Sequence, residues 1–235
     1  MKALILMSVP FGPGSIFDPG KEVFKGSNFA YFWTQGGLAL LDQKGNGIGI
    51  ALPDCPAVSL GKPGIYRFEG QWDKPDSHVY VNLFNNKWNT NFRSFWQGNL
   101  TVRARLWAID QYANEKDLTT PVMNTLAPML TGMCNFGKGN LPVTAQGLKL
   151  SRKGVLLTAF GPNPDGQGTL LRVWEDAGQS GPLTITLPAK MQASTAQPID
   201  LRGRPVGQSL QVIDDKFAFE LGAFKPASFV MQAKL

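Results

Sequence analysis

The feature that most constrains this chain is a set of short runs in which side-chain character alternates residue by residue, each run cut off by glycine, proline or asparagine. Val79, Val81 and Leu83 alternate with Tyr80, Asn82 and Phe84. Leu100, Val102, Ala104 and Leu106 alternate with Thr101, Arg103, Arg105 and Trp107. A period of two sends successive side chains to opposite faces of an extended strand, whereas a helix repeats about every 3.6 residues. The punctuation is dense, with 26 glycines and 17 prolines among 235 residues. Glycine supplies positive φ and proline fixes φ at turn corners, so this composition suits many turns joining short strands.

The first part reads as strands at Ala3–Val9, Asn28–Trp33, Leu38–Asp42 and Ile48–Leu52, the last two joined across Gln43–Gly47 as a hairpin. The run Leu100–Trp107 is expected to point its arginines away from its apolar side, either to solvent or to a groove. One segment has a helical signature: Thr119 or Thr120 as a cap, Pro121 in the first turn, and Val122–Leu130 cut short by Pro128. Around Gly132–Pro142 the composition turns to glycine, asparagine and lysine, which places a boundary there and divides the chain into 1–140 and 141–235. The second part gives runs at Leu148–Ser151, Val155–Phe160, Thr169–Glu175, Leu183–Leu187, Phe217–Leu221 and Ser228–Gln232, with strong turn signals at Gly161–Gly166 and Gly178–Pro182. Short strands at this spacing predict an antiparallel sandwich, and the whole chain is expected to be all-β.

The net charge of +6 is scattered, its tightest groupings being Arg103 with Arg105, Arg152 with Lys153, and Arg202 with Arg204. No run of five basic residues occurs, which argues against nucleic acid as a partner. No stretch approaches the roughly 20 apolar residues of a membrane helix, so no membrane partner is expected. The opening Met1–Met7 is too short an apolar run for a leader and reads as a strand. Cys55 and Cys134 sit among apolar residues and read as buried thiols, leaving the compartment open.

The residue types that carry hydrolytic chemistry are sparse. His78 is the single histidine, and no set of zinc ligands can be read around it; it reads as a surface or turn residue. No Gly-x-Ser-x-Gly elbow, phosphate loop or dinucleotide fingerprint occurs. Asp54, Asp73, Asp76, Glu175 and Asp176 each stand beside turn residues, so they read as solvated turn carboxylates rather than a glycosidic acid–base pair.

Two long stretches carry a resemblance. The first runs from His78 to Phe92 and on to Trp96 and Gly98. The second runs from Gly154 to Gly178 and continues through Pro198–Gly203 to Pro226–Phe229. Together they resemble the C-terminal β-rich half of bacterial proteins similar to glycoside hydrolase family 38, the α-mannosidases. Asp54–Pro56, Leu60-Gly61 and Pro63-Gly64 fit the same half, and the resemblance spans most of the chain. It implies that residues 1 to about 140 are the later part of a mutarotase-like supersandwich and that the rest is a smaller antiparallel β-sandwich. It also implies a catalytic domain N-terminal to this region, with a zinc ion held by Asp and His residues and an Asp nucleophile. Nothing in the sequence matches those motifs. No catalytic or metal residue therefore carries over, and no cofactor is expected in this chain. Its expected partners are a carbohydrate and that missing domain.

The polar and aromatic segment Asn82–Trp96 is the strongest candidate for function. Asn85, Asn86, Trp88, Asn91 and Arg93 combine an aromatic face with amides and a guanidinium, the combination that binds sugar C–H surfaces and hydroxyls. Two other readings fit the same residues. Asparagines cap turns and tryptophans plug cores in ordinary structural loops, and such a loop can also lean on a neighbouring catalytic domain. Three functional expectations follow: a non-catalytic region of an α-mannosidase-like hydrolase, a stand-alone carbohydrate-binding module, and a structural or interaction domain.

Overall fold

The computed structural model describes residues 2–9, 12–19, 21–22, 30–64, 78–84, 95, 97–133, 139–140, 142–188 and 191–233. Among the described residues the chain is all-β apart from one short helical segment, and every strand pairing is antiparallel. It divides into two compact units, Met1–Pro128 and Met129–Leu235.

In the first unit, β1 (Lys2–Val9), β2 (Gly12–Phe17), β4 (Gly37–Leu41), β5 (Gly47–Ala51) and β8 (Arg105–Ile109) form one sheet in the order β2-β1-β4-β5-β8. A smaller sheet, β3 (Phe32–Trp33), β6 (Ala57–Leu60) and β7 (Val79–Val81), has the order β3-β6-β7. Alternation sorts the two faces of the larger sheet. Ala3, Ile5 and Leu38 pack on Phe32, Val58 and Leu60 of the smaller sheet. Leu4, Ala39, Leu41, Ala51 and Ile109 face the other way, onto Leu118 and Val122 of the helical segment.

That segment is a π-helical turn, Glu115–Thr119, running into α1, Thr120–Leu126. The expected threonine cap is absent: Thr119 is already helical and makes no capping bond, because the π turn supplies the preceding residues. Pro121 cannot donate to the carbonyl four residues back, that of Asp117. The Nε1–H of Trp107 donates to this carbonyl instead, at 2.9 Å. The helix lies close because small residues line its side of the sheet. A Cβ on Gly37 would come within 2.2 Å of Val122, and one on Gly49 within 2.0 Å of the Trp107 ring.

The run Leu100–Trp107 corrects its expectation. Regular strand begins only at Arg105, and Leu106, on the side read as apolar, is 62% exposed. Among the described strands β8 is the edge of the five-stranded sheet. Trp107 and Ile109, on the opposite face, pack toward the helix.

In the second unit, β10 (Val155–Pro162), β11 (Thr169–Glu175), β16 (Pro226–Ala233), β13 (Ala193–Ile199) and β14 (Leu210–Gln211) form a sheet in that order. A second sheet holds β15 (Lys216–Leu221), β12 (Gly181–Thr186) and β9 (Lys149–Leu150). One core joins them: Leu171, Val173, Phe229 and Met231 from the first, Leu183, Ile185, Phe217 and Leu221 from the second. Phe229 is its aromatic centre, 5.1 Å from Phe217 edge-on and 4.7 Å from Phe219. Strand β13 had no expectation in the sequence, because its run Ala-Ser-Thr-Ala-Gln-Pro-Ile is polar and contains Pro198.

Candidate functional site

Asn85, Asn86, Trp88, Asn91 and Arg93, the residues named for sugar binding, lie outside the described residues, as do Trp96, Asp73, Asp76 and Cys134. The described flanks of that segment carry exposed aromatics, Phe84 at 58% and Phe95 at 69%. Asn82, at its start, is tied down: its backbone N–H donates to the carbonyl of Ala57. His78 is exposed and stacks on Tyr80, with ring centroids 6.4 Å apart. Cys55 is a buried free thiol.

The carboxylates divide. Asp54 is a surface group that accepts from the backbone N–H, Nε and Nη2 of Arg103 at 2.8, 3.0 and 2.8 Å. These side-chain and backbone hydrogen bonds hold its pKa down at about 2. Glu175 and Asp176 overturn the expectation of solvated turn carboxylates, for both are buried. Glu175 shares the inward parity of Leu171 and Val173 at the end of β11, a period-two signal present in the sequence.

Glu175 ties three pieces of backbone together. Its Oε1 accepts from Ala177 N–H at 3.1 Å, and its Oε2 from Gly178 and Phe224 N–H, each at 2.9 Å. Arg152 approaches Oε1 at 3.5 Å and also donates to the Gln179 carbonyl. The turn that follows needs glycine: Gly178 has φ +78°, and a Cβ there would meet the Phe224 ring at 2.7 Å. Asp176 is held by its backbone, its N–H donating to the Gly154 carbonyl at 2.8 Å. Its two carboxylate oxygens are buried without a hydrogen-bond partner among the described residues. Burial, and secondarily the charge of Glu175, push its pKa up to about 7.

Shallow grooves lie among the described residues. One, of about 460 Å³, is lined by Phe160, Pro162, Thr169, Pro188 and Met191. Another, of about 550 Å³, lies along the β4–β5 hairpin at Leu40, Asp42, Asn46 and Ile48. Neither groove is lined by Glu175 or Asp176. Among the described residues no group of three or more His, Cys, Asp or Glu side chains is placed to hold a metal ion, so the residues described do not fit a zinc centre. No helix among them is long and apolar enough to cross a membrane. Comparison with family models and with curated proteins gives no match.

Proposed function

We propose that this chain is a non-catalytic, carbohydrate-associated β-sandwich region of an α-mannosidase-like glycoside hydrolase, supporting an active site carried by the parent's catalytic domain. The strongest support is spatial. The stretches that carry the resemblance in the second unit, Gly154–Gly178, Pro198–Gly203 and Pro226–Phe229, are separate in sequence but fall on the neighbouring strands β10, β11, β16 and β13. Phe229 stands opposite both Leu171 and Pro198. The likeness therefore lies in one continuous piece of sheet.

The carboxylate geometry fits a supporting role. Glycoside hydrolysis needs two carboxyl groups facing one glycosidic bond across a cleft. Here Glu175 is committed to backbone N–H groups and Asp176 is buried beside it. A zinc ion belongs, in this reading, to the catalytic domain of the parent. Exposed Phe84 and Phe95 beside the Asn85–Arg93 segment favour sugar contact there.

The test is the mass of the native protein in the cells that make it, read with an antibody raised against this chain. A band several times heavier than 25.6 kDa is expected. A band at 25.6 kDa would overturn the reading in favour of a stand-alone binding module. Zinc-dependent α-mannoside hydrolysis by these residues alone would overturn the non-catalytic assignment.

A further inference from the structure

We propose that the segment Pro128–Met133 is a processing site, cut after Leu130 by an endopeptidase with an apolar primary pocket. A protease holds several consecutive substrate residues in extended form, so the segment it cuts must be reachable and free of other backbone pairing. This one meets both conditions. Helix α1 ends at Leu126, and the Ala127 N–H makes the last backbone bond, to the Met123 carbonyl at 2.9 Å. Residues 128–133 belong to no helix or strand, and among the described residues none bonds to their backbone. Every one of them is exposed, as are 139–140 and 142–147 further on. Met129 is 94% and Leu130 98% exposed. No local unfolding is needed before a protease can bind here.

Other exposed turns are tied down. The loop after β10 is closed by the Asn163 N–H to the Gly168 carbonyl, and its side chain bonds Gln167. The turn at 200–204 is held by Asp200, which accepts from the N–H groups of Arg202 and Arg204. Exposed Leu100 lies three residues from Arg103, which is fastened to Asp54.

The sequence names the class of protease. No charged residue stands between Asp117 and Lys138, so a specificity built on charge finds nothing at 128–133. Leu130 offers an apolar side chain to a primary pocket. Small Thr131 and Gly132 follow the cut. In the step, the hydroxyl of a water stays on the Leu130 carbonyl carbon, and its proton goes to the Thr131 nitrogen as the C–N bond breaks. The cut falls where the two compact units meet along the chain, at Pro128 and Met129. Each unit has its own buried core, so both products should stay folded. The site does not rest on the mannosidase reading and can fail or hold without it.

The test is brief digestion of the full chain with a trace of chymotrypsin, the first products being identified by intact mass. A first cut after Leu130 is expected, giving 1–130 and 131–235, both persisting while more protease is added. Leu130→Asp changes a side chain that is almost wholly in water, so the circular dichroism should be unchanged. A carboxylate in an apolar pocket should slow cutting at that bond about ten-fold or more. A first cut elsewhere, at Phe95 or Leu100 for example, overturns the proposal. So do products destroyed as fast as they form, or a cut after residue 130 that the Leu130 change leaves equally fast.

Discussion

Asp176 makes the stability of this protein depend on pH in a direction opposite to that of most carboxylates. Its ordinary pKa of 3.8 applies to the unfolded chain, and burial beside Glu175 raises it to about 7 in the folded one. Below pH 3.8 the group is protonated in both states and contributes no difference. Between 3.8 and about 7 the folded state keeps a proton that the unfolded state has released, so stability falls as pH rises, by about 1.4 kcal/mol per unit for this group. Above about 7 the loss is complete and constant. The full shift corresponds to about 4 kcal/mol, and relaxation and water entry around the carboxyl at the strand end reduce the expected loss to about 2 kcal/mol. Asp176→Asn keeps the shape and removes the titration. Urea unfolding of the full chain, followed by near-ultraviolet circular dichroism between about pH 4 and 8, measures the difference between variant and parent. That difference should grow by about 2 kcal/mol in favour of the variant across the range, centred between the two pKa values. A difference that stays flat with pH would refute the reasoning.

Three further outcomes are expected. Glu175→Ala removes the shared acceptor of the Ala177, Gly178 and Phe224 N–H groups and the carboxylate beside Arg152, and should cost about 3–5 kcal/mol by chemical denaturation. Gly49→Val drives a side chain into the Trp107 ring and should destabilise the first unit by about 3 kcal/mol or more, seen as a lowered urea midpoint. Trp107→Phe keeps an aromatic ring but leaves the Asp117 carbonyl without its donor; a loss of about 1 kcal/mol is expected in the same assay.

What the sequence revealed follows the strength of its period. The hairpin of β4 and β5 and the strands β11, β12, β15 and β16 are apolar-rich runs with glycine or proline at an end, so local and tertiary preferences agree. Strand β13 was invisible because Ala193–Ile199 is polar; its place is set by β16, with which it pairs along most of its length. The apolar side of Leu100–Trp107 carries the exposed Leu106, because periodicity shows that two faces differ, not which of them a neighbouring layer covers. Glu175 was legible in principle from its register with Leu171 and Val173, but the adjacent Gly178 turn gave the stronger local signal. The partners of its carboxylate, Arg152 and Phe224, are 23 and 49 residues away, a separation at which sequence spacing says nothing about contact.

The bond from the Trp107 indole to the Asp117 carbonyl has a consequence for how the first unit comes apart. A helix of seven residues has little stability of its own, and an edge strand has only one neighbour to hold it. Here each is fastened to the other through a carbonyl that Pro121 left open. Opening of the helix releases the tryptophan that weights down β8, and fraying of β8 removes the donor that holds the helix turn. The two elements are expected to open as one unit, their backbone amides exchanging with solvent at a common free energy below that of the central strands β1 and β4.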